Sequence, residues 1–211
     1  MVIFPVKDSP RYFKNAIDNL ECFVIKYIKK GAGRLITGLG EDMERYERLI
    51  GLYGRVYSKP SRVKTLKIAG AISVAYVAAV FCSLLLSLVF EKAYVECARL
   101  ALMAAIPFSL VSLMRHLLDV PRPYEVIAFP PLAAMRGERK AGKSCPSRHV
   151  FSAFLIGALA LYYSPILGIL TLFIGAFVAL ERVMLGIHFV RDVIVGAVIG
   201  VLSGVIGILF L

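Results

Sequence analysis

The sequence predicts an all-α protein, a bundle of helices that crosses a membrane about five times. Hydrophobic residues make up 59% of the 211 positions, and the mean hydropathy is +0.77. Both values exceed what an ordinary soluble domain of this length shows. Apolar runs of about 20 residues recur along the chain, which is the length a helix needs to cross the hydrocarbon core.

The predicted spans are five apolar segments, at residues 68–90, 94–118, 146–163, 165–185 and 189–211. The third is short and polar at its flanks, so we expect it to lie partly inside the bundle. Residues 1–67 lack an uninterrupted apolar stretch, and no cleavable signal peptide is predicted there. The chain therefore divides into a basic N-terminal region, 1–67, and a transmembrane domain, 68–211.

The N-terminal region carries two amphipathic helical patterns. The first begins with Ser9, a capping residue, and Pro10, which suits the first helical position, and it ends at Gly31. The second runs from about residue 41 to residue 57. Since neither is long and apolar enough to span, we expect both to lie at the membrane interface. A small soluble cap packed on itself is the alternative.

The net charge of +11 would suggest a nucleic-acid partner in a soluble protein. In a membrane protein, cationic flanks facing anionic headgroups explain the same charge. No nucleic-acid motif is present, so the bilayer is the predicted partner. The four cysteines show neither metal spacing nor a disulfide framework.

The last span carries three glycines at intervals of four residues, Gly196, Gly200 and Gly204. Small residues at this spacing allow two membrane helices to approach closely. We predict that they pack inside the protein's own bundle rather than in a dimer, and the oligomeric state stays open.

Charged side chains beside a bilayer are costly and often functional. Three groups of them occur at the ends of the predicted spans. They are Arg115 and Arg122 in "RHLLDVPRP", Ser147 and His149 in "PSRH", and Arg182, His188 and Asp192 in "ERVMLGIHFVRD". Because successive spans alternate in direction, all three groups fall at the same end of the bundle.

Several arginines with two histidines suit a phosphate, since guanidinium groups match its oxygens. Few carboxylates lie nearby and the histidines lack metal spacing, so no metal and no cofactor are predicted. His188 and Asp192 are four residues apart, which allows the carboxylate to orient the imidazole for attack. His149 is then left to donate a proton. Any one arginine could instead be a snorkelling anchor, but that does not explain three converging groups.

Taken together, Arg115-x6-Arg122-Pro123, Pro146-Ser147-Arg148-His149 and Arg182-x5-His188-x3-Asp192 resemble the three-part signature of the type 2 phosphatidic acid phosphatase (PAP2) superfamily. The resemblance covers residues 115–192, and the surrounding helices extend it to about 68–211. It implies an all-α membrane bundle that hydrolyses lipid phosphate monoesters or diphosphates without metal.

The resemblance also implies roles for individual residues. His188 would be the nucleophile that forms a phosphohistidine, Asp192 its orienting partner and His149 the general acid. The residues implied to bind the substrate phosphate are Arg115, Arg122 and Arg182, with Ser147 assisting and Arg148 as a further candidate.

Three positions depart from the family pattern. Arg115 replaces a usual Lys, Arg148 replaces the Gly of Pro-Ser-Gly-His, and Glu181 replaces a Ser. Arg148 is expected either to add a phosphate donor or to point outward to the headgroups. None of the three changes affects the two histidines or the aspartate.

The predicted function is hydrolysis of a membrane lipid phosphate such as phosphatidic acid, phosphatidylglycerol phosphate or a polyprenyl diphosphate. The alternatives are a lipid phosphotransferase of the same fold and a catalytically decayed lipid-binding protein. A haloperoxidase is disfavoured, because the chain is small and built of spans.

Charge asymmetry predicts which way the protein faces. Of the 25 Lys and Arg residues, 23 lie on the side of the polar groups. The positive-inside rule therefore places the site on the cytoplasmic side of a multi-pass protein of the cell membrane. Familiar bacterial members of the family mostly face outward, so rule and resemblance disagree on this point.

Overall fold

The computed structural model of the chain describes residues 54, 56–126 and 141–210. The amphipathic helices predicted within residues 1–57 lie almost wholly outside these ranges. Regular secondary structure in the described ranges is helical, with no strand. The all-α prediction is confirmed.

Six helices follow one another in the described ranges. They are α1 (Pro60–Phe90), α2 (Tyr94–Leu118), the single turn α3 (Pro123–Val126), α4 (Arg148–Tyr163), α5 (Pro165–Met184) and α6 (Val190–Ile208). Four described segments are long and apolar enough to cross a membrane, namely α1, the stretch Tyr94–Glu125 containing α2, α5 and α6. The protein is therefore a multi-pass membrane protein, with α4 as a shorter apolar helix.

Helix α1 starts earlier than the predicted boundary at residue 68. Pro60 occupies the first turn, where its missing N–H costs nothing and its fixed φ favours the helix. The charged residues Arg62, Lys64 and Lys67 then extend the helix before its apolar part begins. Hydropathy marks where the apolar segment begins, and the helix itself begins before it.

The short helix α4 lies at the centre of the bundle. It packs most closely on α6 and α5, and α1 and α2 also contact it. Nine of its 16 residues are buried, whereas large apolar side chains such as Phe90, Ile166 and Phe173 are exposed on the surrounding helices. Because other helices cover α4, lipid faces those outer helices, as the prediction for the third span expected.

The glycines of α6 bring that helix against the backbone of α4. A Cβ added at Gly196 would lie 2.8 Å from the carbonyl oxygen of Ser147, and one at Gly200 would lie 2.6 Å from that of Phe151. Only a residue without a side chain fits this separation. The predicted packing of these glycines within the bundle is confirmed, and it sets the first turn of α6 beside the start of α4.

A glycine turn between α5 and α6 positions His188. Gly186 has a φ of 63°, and its N–H donates to the carbonyl of Val183 while that of Ile187 donates to the carbonyl of Arg182. This is the Schellman pattern that ends a helix in a left-handed residue. His188 therefore lies in the turn that follows α5, beside Arg182 and just before α6 begins.

Candidate active site

At the end of the bundle where α2 and α5 finish and α4 begins, a cavity of about 210 Å³ opens. We call it the cationic cavity. Its lining residues are Arg115, Arg122, Tyr124, Arg148, His149, Arg182, Ile187 and His188. Six of the eight predicted site residues thus share one cavity, while Ser147 and Asp192 lie buried behind it.

Arg115 joins the end of α2 to the loop that precedes α4. Its side chain is 5% exposed, and Nη1 donates to the carbonyls of Ser144, at 3.3 Å, and Pro146. These bonds give the buried charge polar partners, as burial requires. Arg115 therefore both lines the cavity and fixes the loop that precedes α4.

Arg122 is held by the same loop from the other side. Its Nε donates to the carbonyl of Gly142 at 2.9 Å, and the N–H of Gly142 donates to Glu125 Oε1 at 2.6 Å. The guanidinium carbon lies 5.9 Å from the ring centroid of Tyr124, within reach of a cation–π interaction. The buried ring of Tyr124 and the hydrogen bond to the Gly142 carbonyl thus position Arg122.

Arg182 has a buried carboxylate beside it. Glu181 is 2% exposed, and its Oε2 lies 3.1 Å from Arg182 Nε. The carboxylate occupies space that Gly70 of α1 leaves open, since a Cβ there would lie 2.5 Å from Glu181 Oε1. The departure from the family pattern at Glu181 therefore places a negative charge beside one arginine of the cavity.

His188 and Asp192 are both buried at the start of α6. His188 Nδ1 lies 3.7 Å from Asp192 Oδ2, and the same oxygen accepts the N–H of Phe189 at 3.0 Å. Burial lowers the pKa of His188, although Asp192 opposes the shift. The imidazole is therefore neutral near pH 7, the form in which a ring nitrogen can attack.

The residues of the "PSRH" motif differ in position, since two line the cavity and Ser147 lies in the interior. His149 and Arg148 are exposed in the first turn of α4 and line the cavity. Ser147 is fully buried, and its N–H donates to the carbonyl of Asp192 at 3.0 Å. Its Oγ has no hydrogen-bond partner among the described residues. The structure therefore ties Ser147 to α6 and does not place it on the cavity surface.

Cys145 beside this motif is 3% exposed. Burial raises the pKa of its thiol to about 12, so the reactive thiolate is scarce at neutral pH. The residue fills space in the loop.

A second, apolar cavity of about 350 Å³ adjoins the first. Its walls come from α1, α2, α4 and α5: Val74, Val77, Ala78, Phe108, Arg148, His149, Ser152, Ala153, Ile156 and Val178. Arg148 and His149 are common to both cavities. Arg148 and His149, at the start of α4, therefore lie where the cationic cavity meets the apolar cavity.

Tyr124, Ser144 and Ile187 of this region were not predicted from the sequence. Tyr124 lines the cationic cavity, and its only signal was an aromatic residue in "PRPYE". Ser144 is fully buried, and its Oγ donates to Asp192 Oδ2. Its position just before the "PSRH" motif was the available clue.

Comparison with known proteins places this geometry in context. Residues 74–211 match the family model described as the PAP2 superfamily. No curated protein matches the chain.

Two solved structures have a similar fold. LpxE of Aquifex aeolicus is 23% identical, with 75% of this chain and 93% of that chain covered and a TM-score of 0.54. A transmembrane PAP2-type phosphatidylglycerolphosphate phosphatase from Bacillus subtilis is 18% identical, with 72% and 77% covered and a TM-score of 0.56.

The family match covers well over half of the chain and contains all three polar motifs and both cavities. The predicted family is confirmed, and with it the phosphatase class. The chain therefore belongs to the PAP2 superfamily and is an integral-membrane phosphatase of that family.

Proposed function

We propose that the protein removes phosphate from a membrane lipid phosphate through a phosphohistidine on His188. The observation that carries the proposal is the cationic cavity, in which four arginines and two histidines converge. Phosphoryl transfer needs little covalent chemistry from a protein and depends on positioning and charge stabilisation. Four guanidinium groups at one cavity supply that charge from side chains.

The reaction proceeds in two steps. In the first, the lone pair of His188 Nε2 attacks phosphorus, the ester P–O bond breaks, and His149 gives its proton to the departing oxygen. In the second, water attacks the phosphohistidine, the P–N bond breaks, and His149 takes the proton of the water. The products are the lipid alcohol and inorganic phosphate, and His188 returns to its neutral state.

The apolar cavity supports a lipid as the substrate. His149, the proposed donor to the leaving oxygen, lines both cavities. The atoms attached to that oxygen therefore begin at the mouth of the apolar cavity, where burial of each methylene contributes about 0.8 kcal/mol. Phosphatidic acid, phosphatidylglycerol phosphate and polyprenyl diphosphate all combine a terminal phosphate with hydrocarbon, and one of the similar structures is a phosphatidylglycerolphosphate phosphatase.

Phosphate release from these three lipids, by the full-length protein in detergent with EDTA present, tests the proposal. We expect release from at least one lipid, undiminished by EDTA because the arginines provide the positive charge. Loss of activity with EDTA would contradict the metal-free mechanism. Absence of release from every lipid would contradict the hydrolase assignment, and transfer to an added alcohol in place of water would identify the phosphotransferase alternative.

We further propose that the site faces the cytoplasm in the cell membrane. The support is the basic flank, which includes Lys59, Arg62 and Lys64 at the site end of α1. Single-cysteine variants Lys59→Cys and Lys92→Cys, in a background without native cysteines, report the two ends of α1. In intact cells an impermeant maleimide should label only the cysteine at position 92, and labelling at position 59 alone would reverse the assignment.

A further inference from the structure

Ser144, in the loop between α3 and α4, contacts residues of the first and third polar motifs. Its carbonyl accepts a hydrogen bond from Arg115 Nη1, its hydroxyl donates to Asp192 Oδ2, and its Oγ lies 3.4 Å from His188 Nδ1. We propose that Ser144 is a positioning residue whose hydroxyl relays the orienting hydrogen bond from the His188 ring to Asp192. The proposal rests on the proposed function, in which His188 is the nucleophile.

The main chain fixes Ser144 on both sides. Its N–H donates to the carbonyl of Val120 at 2.8 Å, and its carbonyl is 3.3 Å from Arg115 Nη1. The residue is fully buried, so its hydroxyl has no access to solvent. A buried hydroxyl must find partners in the protein, and here those partners are the carboxylate of Asp192 and the ring of His188.

The distances favour a relay over a direct bond. His188 Nδ1 and Asp192 Oδ2 are 3.7 Å apart, longer than an ordinary hydrogen bond. Ser144 Oγ lies closer to Nδ1, at 3.4 Å, and also donates to Oδ2. A hydroxyl has one proton to donate and two lone pairs, so it can accept from Nδ1–H while it donates to the carboxylate.

This arrangement determines which ring nitrogen carries the proton. With Nδ1–H donating to Ser144 Oγ, the neutral ring keeps its lone pair on Nε2. The charged and titratable groups that act on the ring include Asp192 of α6, Arg115 of α2, Arg122 of the following loop and His149 of α4, and Arg148 and Arg182 line the same cavity. Asp192 supplies the negative charge that stabilises a proton on the ring, and the Ser144 hydroxyl determines that the proton is on Nδ1.

Kinetics of Ser144→Ala and Ser144→Thr test the relay in the full-length protein. For Ser144→Ala we expect kcat to fall about 10- to 100-fold, by analogy with the loss of a group that orients a metal-ligating histidine, with KM little changed. The control is Ser73→Ala, which deletes a buried hydroxyl from α1 and should leave kcat within about twofold. Ser144→Thr keeps the hydroxyl and should restore part of the rate. Unchanged kcat in Ser144→Ala would overturn the proposal.

A second measurement needs no turnover. The chain has three histidines, so ring-labelled ¹⁵N spectra can be assigned with His116→Gln and His149→Gln variants. We expect His188 to be protonated at Nδ1 in the unmodified protein and to show mixed tautomers in Ser144→Ala. The same tautomer in both proteins would overturn the relay. Absence of phosphate release by the unmodified protein would instead refute the proposed function and leave the tautomer result standing.

Discussion

The two cavities that meet at Arg148 and His149 are built in different ways. The cationic cavity is lined by helix ends and loops, and backbone hydrogen bonds such as that from Arg122 Nε to Gly142 fix its arginines. The apolar cavity is lined mainly by side chains from the middle of helices, among them Ala78 and Val178. The contrast indicates that phosphate chemistry and hydrocarbon recognition depend on separate parts of the chain and can be perturbed separately.

The largest expected effect comes from the cationic side. Replacement of His188 by alanine removes the proposed nucleophile, and we expect kcat to fall at least about 1,000-fold, as when other enzymes lose theirs. The loss should be equal for short-chain and long-chain lipids, since the apolar cavity is untouched. His116→Ala, at an exposed position near the end of α2, is the matched control. Full turnover in His188→Ala would refute the assignment.

The pH dependence sharpens the same assignment. Protonation of His188 removes its lone pair, and burial lowers the pKa of this group. In the unmodified protein, the acidic limb of kcat/KM should therefore have a midpoint below the ordinary histidine value of about 6.5, and a fall at higher pH reports loss of the proton that His149 donates. A midpoint well above that value would show that the titrating group is not a neutral buried imidazole.

A smaller effect on activity is expected from a substitution in the apolar cavity. Ala78→Phe places a ring in the apolar cavity, which should raise KM for a long-chain lipid phosphate about 10- to 50-fold through the loss of two or three buried methylenes. A dibutanoyl substrate should be hydrolysed almost as before. Ala79→Phe adds the same ring to the next residue of α1, which does not line the cavity. If both substrates lose activity equally, the cavity does not hold the hydrocarbon.

The smallest effect is expected where the two cavities meet. Arg148 is exposed, and exposed charge contacts contribute little, so Arg148→Ala should lower kcat/KM by only about two- to fivefold. Arg99→Ala, at the opposite end of α2, should change nothing. A loss as large as that of His188→Ala would make Arg148 a principal phosphate ligand, whereas no loss would assign it to the headgroups.

The sequence carried enough information to predict the spans, the family and the convergence of the motifs. The span of 94–118 coincides with α2, and the alternation of helices brings Arg115, His149 and His188 to one cavity. These features follow from local hydropathy and from chain order, both of which can be read without coordinates.

The features that escaped prediction depend on contacts distant in sequence. The bond from Ser144 to Asp192 joins residues 48 positions apart, and no periodic pattern marks either end. Tyr124 is the exception, since it follows Arg122 by two residues, and its burial in the cavity lining is what the sequence did not show. For Ser147 the motif suggested contact with phosphate, whereas the structure buries it against α6.

The length of α4 has a consequence for how deep the chemistry occurs. Its 16 residues rise about 24 Å, less than the roughly 30 Å thickness of the hydrocarbon core. Tyr162 and Tyr163 end the helix, and paired aromatic rings of this kind prefer the membrane–water boundary. With that end at one boundary, we expect the start of α4 to lie short of the other. We therefore expect a lipid phosphate to move toward the acyl layer to reach His149, without leaving the bilayer.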